Sequence, residues 1–460
     1  MRLTDSTTAV ALELEAGLHR PVLTDPAVTA AYSSDRCASV AAGTPAAVVL
    51  ARSVDEVQTV MRVAGRHRIP VVPRGAGSGL SGGATALDGC IVLGLAAMDR
   101  IVTVDRDDLV AVVEPGVITG TLHAAAREVG LAYPPDPASA AFCTVGGNLA
   151  TNAGGLCCVK YGVTRDAVLG IDVVLADGSL LRLGRRTLKN VVGLDLTSLL
   201  VGSEGTLGVI VGATLRLRPA RPPAHTMVAF FATVDAAGAA ISAVRSAVVP
   251  SLLELMDRAT VRAVEAWQPQ GLDTDAGALL VVQSDAPGDG AAQELATCAD
   301  AARVAGAVDV LVTADPVEAD LLLAARRLAF PALERLGSVL LDDVAVPCSR
   351  IGALVAGIEQ IAARHGTTVG TFGHAGDGNM HPTIVWDGPA SSPPAAVVDT
   401  FTDIVDLALA LGGTVTGEHG VGVLKHRFLA AQLGDDVVRI QRAVRQALDP
   451  LGICNPGRAV

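Results

Sequence analysis

The sequence predicts an α+β protein of at least two domains, and three observations carry that prediction. A strand–helix–strand pattern occupies residues 46–73, a proline-rich break falls at 219–225, and strand-like runs alternate with alanine-rich helical stretches beyond it. Within AAVVLARSVDEVQTVMRVAGRHRIPVVP, an apolar run is followed by Ser53 and Glu56 at capping-box spacing. Val57, Val60, Met61 and Ala64 then recur on one helical face, and a second strand is predicted over 69–72. Strands joined through a helix can run parallel, so this part of the sheet is parallel or mixed. Asp177-Gly178 sits between two strand-like runs as a hairpin turn, and GTLGVIVGATLRLRP continues as a strand closed by Pro219.

After PARPPAH the pattern changes. Predicted strands at 226–232, 278–283 and 308–313 alternate with helices near 235–248, 290–305 and 316–328, which reads as an antiparallel sheet covered by helices. A last section, 395–460, is mainly helical around GGTVTGEHGVG.

Composition narrows the function classes. The chain has 460 residues, half of them hydrophobic but only 3% aromatic, and a formal net charge of −12 without a basic run. Nucleic acid and anionic membrane surfaces are therefore not expected partners. The N-terminus lacks a signal-peptide pattern and no apolar run of about 20 residues spans a bilayer. A cytoplasmic location is expected, with peripheral attachment to a membrane left open. Eight cysteines form no CxxC and are expected to be reduced, buried small hydrophobes.

PRGAGSGLSGGA (73–84) contains Gly77, Gly79 and Gly82 at GxGxxG spacing. A Rossmann reading requires a helix directly after the glycines, and here the chain runs into a turn and another strand. No GK[ST] follows either. Consecutive backbone N–H groups can still converge on a phosphate, with Arg74 adding a fixed positive charge.

PRGAGSGLSGGA, YPPDPASAAFCTVGGNLATNAGG and GSEGTLGVI resemble the FAD domain of the vanillyl-alcohol oxidase type, also called the PCMH-type domain. GHAGDGNMHP, GEHGVG and LDPLGICNPGR resemble the C-terminal region of FAD-linked D-2-hydroxyacid dehydrogenases, a group that includes D-lactate dehydrogenases and the glycolate oxidase catalytic subunit. The resemblance implies an N-terminal segment (1–36), a PCMH-type FAD domain (37–220), an α+β substrate or cap domain on an antiparallel sheet (221–415), and a C-terminal helical segment (416–460) returning to the FAD domain. It also implies noncovalent FAD, since the glycine loop holds no histidine. Arg74, Gly75, Ala76, Gly77, Ser78, Gly79, Leu80, Ser81 and Gly82 would cradle the pyrophosphate. Pro134, Ser139, Thr144, Gly146, Gly147, Asn148, Thr151, Ala153 and Gly154 would line the flavin. Glu204, Gly205, Val209 and Ile210 would lie by the adenosine part, and Asn455 would return to the flavin. Leu194, where tyrosine is common in the family, reads as a packing change.

The C-terminal histidines carry the chemistry. A divalent metal with an open position takes histidine nitrogens and a carboxylate. GHAGDGNMHP supplies His374 and His381, and TGEHG supplies Glu418 and His419. This ligand type suits zinc without excluding manganese or iron. Asp377 reads as a turn former, and His365 and His426 as surface or capping residues. The resemblance places His374, His381 and Glu418 at the metal and His419 as the catalytic base. It then implies that a metal-bound hydroxy acid gives its hydroxyl proton to His419 and a hydride to flavin N5. Arg326 matches the family's substrate arginine, with Arg327 as the competing choice. Phe330 and Thr383 stand where hydroxyglutarate enzymes carry threonine and asparagine, so a small monocarboxylate, D-lactate or glycolate, is the expected substrate. D-2-hydroxyglutarate dehydrogenase is the rival reading within the class, and a non-catalytic flavin-binding subunit of a multi-chain oxidase the rival outside it. The electron acceptor would be a quinone, a cytochrome or a partner flavoprotein rather than NAD, and a homo-oligomer is possible.

Overall fold

The computed structural model describes residues 3–460, with side chains described from residue 9 onward. The chain forms two compact units: 1–154, 163–220 and 419–460 make the first, 155–162 and 221–418 the second. The units part after residue 220, at the proline-rich stretch. Residues 155–162, inside the span expected for the FAD domain, group with the second unit, and the later boundary falls between Glu418 and His419. The N-terminal stretch is part of the first unit: Val10, Leu14 and Leu18 are buried in its core.

In the first unit, β1 (Ala47–Leu50), β2 (Val71–Arg74) and β3 (Ile91–Gly94) form a parallel sheet ordered β1-β3-β2. The strand–helix–strand pattern is present, but β3 lies between its two strands. Its helix, Val54–His67, starts where Ser53 Oγ accepts the Glu56 N–H at 3.3 Å. The Glu56 carboxylate takes the Arg52 N–H at 2.9 Å instead of closing a reciprocal box. Val57, Val60, Met61 and Ala64 are its buried stripe, and Arg68 ends it in the left-handed region.

A five-stranded antiparallel sheet follows: β4 (Ile101–Asp105), β5 (Val110–Val113), β7 (Val168–Val174), β8 (Leu180–Gly184) and β9 (Val209–Arg216), ordered β4-β5-β9-β7-β8. The short β6 (Leu131–Ala132) and β10 (Arg218–Pro219) pair beside it. Asp177-Gly178 turns β7 into β8, as predicted. Because side chains alternate along a strand, neighbours in β9 enter different cores: Val209 packs with Val57 and Val174, Ile210 with Ile171 and Val173.

The second unit is built on an eight-stranded antiparallel sheet: β11 (His225–Phe231), β12 (Leu252–Asp257), β13 (Ala278–Ser284), β14 (Ala307–Thr313), β15 (Ser338–Leu341), β16 (Val344–Ala345), β17 (Thr368–His374) and β18 (Asn379–Trp386). The order is β14-β11-β13-β12-β17-β18-β15, with β16 also on β18. Helices Arg258–Trp267 and Pro316–Glu334 pack on the face that presents Met256 and Phe372, through Val261, Val264, Ala325, Ala329 and Leu333. All eight cysteines are free, seven of them buried. Among the described residues no helix is long and apolar enough to cross a membrane.

Candidate functional site

The glycine loop of the first unit closes around Arg74, the last residue of β2. No helix follows it; the chain runs through turns into β3. Arg74 Nη1 is buried with no hydrogen-bond partner among the described residues, and Asp35 is its charge neighbour. A buried guanidinium nitrogen without an acceptor is costly, so the atom suits an anionic ligand oxygen. Gly77 sits at φ +70°, and a Cβ there would lie 2.1 Å from Arg74 Nη2. Gly75 has the same constraint against Thr144 Oγ1, at 2.2 Å. Ala76, Ser78, Gly79, Leu80 and Gly82 complete the loop. Ser81 O accepts the Val423 and Leu424 N–H groups, and Ser81 Oγ donates to His419 O at 3.2 Å. This cradle fits the phosphates of FAD.

Other expected FAD contacts are partly committed to the fold. Thr144 caps the helix Val145–Thr151 by accepting the Gly147 N–H. Asn148 Nδ2 donates to Thr119 Oγ1 at 2.7 Å, and Thr151 Oγ1 bonds back to Gly147 O. A side chain at Gly146 would strike Pro115, and one at Gly205 would strike Pro73. Ala153 O accepts from Thr164, and Gly154 is where the chain leaves the unit. Three placements differ from expectation. Val209 and Ile210 are core side chains, so they offer a ligand only backbone atoms. The Glu204 carboxylate is engaged by backbone: Oε1 accepts the Val421 N–H at 2.7 Å and Oε2 the Gly422 N–H at 2.8 Å. Leu194 is no packing residue, being 88% exposed beside a cavity of about 510 Å³ lined also by Arg165, Arg182 and Asn190. Asn455 Nδ2 donates to Gly83 O and Glu204 O, while its buried Oδ1 has no partner among the described residues and could accept from a ligand.

Burial pushes the Glu204 carboxyl up from its usual 4.5 to about 7, against the lowering effect of the two amides. The folded protein therefore holds this proton to higher pH than the unfolded chain. The resulting stability is fully present below pH 4.5 and is lost as pH rises through about 7. At ~1.4 kcal/mol per pH unit this single group removes roughly 3 kcal/mol across the window. Urea unfolding followed at pH 5 and pH 8 should show a smaller loss in Glu204→Gln than in the parent; parallel losses would refute the assignment.

In the second unit GHAGDGNMHP is a β-hairpin, not a loop presenting ligands. His374 closes β17 and His381 lies in β18, with residues 375–378 as the turn. Cross-strand pairs His374↔Asn379 and Phe372↔His381 put both imidazoles on one face of the sheet. The rings meet edge-on with centroids 5.1 Å apart. His374 Nε2 and His381 Nε2 each lie 3.3 Å from Glu418 Oε1, and one ligand atom from each of the three residues falls within 4.8 Å of the others. Burial disfavours the His374 cation, yet Glu254 and Glu418 together raise its pKa well above the usual 6.5. Burial would raise the Glu418 carboxyl, but the two histidines hold it below its ordinary range. Two imidazoles and a carboxylate converging in this way fit a divalent cation.

Two buried carboxylates that the sequence reading missed frame this cluster. Glu254, with no exposed surface, pairs with His374 across β12 and β17 and accepts its Nδ1–H at 2.7 Å. Its other oxygen takes Arg326 Nε, also at 2.7 Å. Asp343, equally buried, accepts Asn379 Nδ2 at 2.7 Å, Thr416 Oγ1 at 2.6 Å and the Gly417 and Glu418 N–H groups at 3.0 and 3.1 Å. It lies 3.7 Å from His381 Nδ1. The available signal was a carboxylate inside an apolar strand-like run, LLELMD and LLDDVAVP.

The two candidate arginines differ in burial. Arg326 is 8% exposed and stacks over Phe372 at 4.7 Å, whereas Arg327 is exposed and pairs with Asp320. Thr383 is a correction: it has no exposed surface and its hydroxyl donates to His381 O, so it packs beneath the site and offers no atom to a substrate. Phe330 packs into the core. Asp377 caps the turn through the Asn379 N–H, and His365 ends its helix against Asp403. His419 follows Glu418 directly in the chain and belongs to the first unit.

Residues 222–459 match the family model for the C-terminal domain of FAD linked oxidases, and residues 45–184 match an FAD binding domain. The chain is 40% identical over 416 residues to the glycolate oxidase subunit GlcD of Bacillus subtilis (strain 168), covering 90% of this chain and 88% of that one. It is 34% identical over 448 residues to a D-lactate dehydrogenase of Anaerostipes hadrus, covering 95% and 94%. A solved structure of p-cresol methylhydroxylase with substrate bound superposes with a TM-score of 0.81 over 99% of this chain and 96% of its own; at 18% identity that likeness is one of fold.

Proposed function

The chain belongs to the FAD-linked oxidases, and on that premise we propose that it oxidises a small D-2-hydroxy acid, D-lactate or glycolate, to the 2-keto acid. The convergence of His374, His381 and Glu418, with Arg326 tied to the same group of residues through Glu254, is the observation that supports this most. When bound, FAD would accept the hydride and a divalent cation, zinc by ligand type, would acidify the substrate hydroxyl. The Arg326 guanidinium has its Nε committed to Glu254, which leaves its terminal nitrogens for a substrate carboxylate. His419 is the base in this reading, taking the hydroxyl proton on an imidazole nitrogen; its place directly after a metal-ligand carboxylate supports that role. The first relative above is named a subunit of an oxidase, which supports a partner protein; the acceptor in this reading is a quinone, a cytochrome or a partner flavoprotein.

Anaerobic addition of D-lactate, glycolate and D-2-hydroxyglutarate to metal-replete protein tests the proposal. Bleaching of the flavin by one of the two small acids is expected. Bleaching by D-2-hydroxyglutarate alone would replace the substrate, and no bleaching across a panel of 2-hydroxy acids would remove the reading.

A further inference from the structure

Glu254 is hydrogen-bonded to both halves of the site in the second unit. It lies in the middle of the sheet, on β12, with no exposed surface. Strand Thr368–His374 pairs beside it and helix Pro316–Glu334 lies over the same face. Its Oε1 accepts from His374 Nδ1 and its Oε2 from Arg326 Nε, each at 2.7 Å. A buried ion pair alone would be a structural feature of modest value. Here the second oxygen is spent on the imidazole whose opposite nitrogen faces Glu418.

Each bond has a consequence. Donation from Nδ1 to Glu254 orients the ring and leaves Nε2 as the nitrogen that would ligate a cation held with Glu418. Occupation of Nε pins the guanidinium plane over Phe372. The guanidinium can then meet an anion only through its terminal nitrogens. We propose that Glu254 is a positioning residue that couples the two: one carboxylate sets the metal-ligating nitrogen of His374 and aims Arg326 at the substrate carboxylate. The proposal rests on the metal-assisted reading above and adds a dependence of both affinities on one side chain.

The chemistry of the side chain makes the test sharp. Two N–H donors need two acceptor oxygens, and glutamine offers one oxygen and one NH₂. Glu254→Gln can therefore satisfy His374 or Arg326 but not both. In metal-depleted, FAD-containing protein, titration with Co²⁺ read by its visible absorption band and by chelator competition should show about 10–100-fold weaker binding in Glu254→Gln. FAD content should be unchanged. With Co²⁺ saturating, the Kd for oxalate, read from perturbation of the flavin spectrum, should also rise at least severalfold. Arg326→Lys serves as the counter-variant, expected to weaken oxalate while leaving Co²⁺ affinity at the parent value. Should Glu254→Gln not fold, Glu254→Asp keeps two oxygens at a shorter reach and is expected to weaken both ligands less. Parent-like affinities for Co²⁺ and oxalate in the folded variants would overturn the coupling. A parent protein that itself fails to bind Co²⁺ would overturn the coupling and the metal reading together, which keeps the two failures distinct.

Discussion

Replacing His419 with asparagine is expected to leave a yellow protein whose flavin is reduced by substrate about 10²–10⁴-fold more slowly, the usual contribution of a positioned proton acceptor. Asparagine preserves the polarity and much of the volume of histidine but cannot accept a proton near neutral pH. The backbone contact at this position, Ser81 Oγ to His419 O, survives the change, so the turn that follows should keep its place. The cofactor should be retained because the loop around Arg74 is untouched. Anaerobic rapid mixing with the acid that bleaches the parent flavin measures the rate directly. Reduction at the parent rate would mean that another group takes the hydroxyl proton.

Asp343→Ala is expected to destabilise the second unit markedly. The substitution strips acceptors from Asn379 Nδ2, Thr416 Oγ1 and the Gly417 and Glu418 amides at once. Asn379 Nδ2 is buried but keeps Val344 O, and the other three donors are only part-buried, so a total of roughly 2–3 kcal/mol is expected, below the sum of four fully buried losses. Gly417 has no slack to compensate, since even a Cβ there would lie 2.2 Å from Asn379 Nδ2. Glu418 would lose the anchor of its own amide, and Co²⁺ affinity should fall with stability. Asp343→Asn retains one oxygen and should fall between. A urea midpoint for Asp343→Ala within experimental error of the parent would show that the network contributes little.

How far the sequence discloses this molecule depends on whether a feature is local. The helix over Val54–His67 was legible because its cap and stripe lie within one stretch, and the Asp177-Gly178 hairpin because turn chemistry is read from two residues. The insertion of β3 between β1 and β2 was not, since strand order is set by tertiary pairing. Arg74 and the glycines could be read as an anion loop from their density. That Glu204 turns toward residues 421 and 422 could not, because the partners are more than two hundred positions apart. The metal candidates were recognisable by type, and Arg326 by resemblance. Glu254 and Asp343, which position them, look in sequence like stray acids in apolar strands. Thr383 was misjudged for a related reason: strand alternation tells which face a residue shares with His381, but not that this residue is fully buried there.

The hairpin that carries His374 and His381 also sets a rule of parity. The histidines are seven residues apart, yet they share a face because paired residues 374 and 379 do, and each strand then advances in steps of two. With the turn geometry at 375–378 kept, a single residue inserted or deleted there would slip the register and carry His381 to the opposite face of the sheet, leaving composition and hydrophobicity almost unchanged. Length variation among related chains should therefore be excluded from this turn and tolerated in the loop at 387–394, where no such phase is at stake. A count of residues, rather than the identity of any one of them, keeps the two imidazoles together.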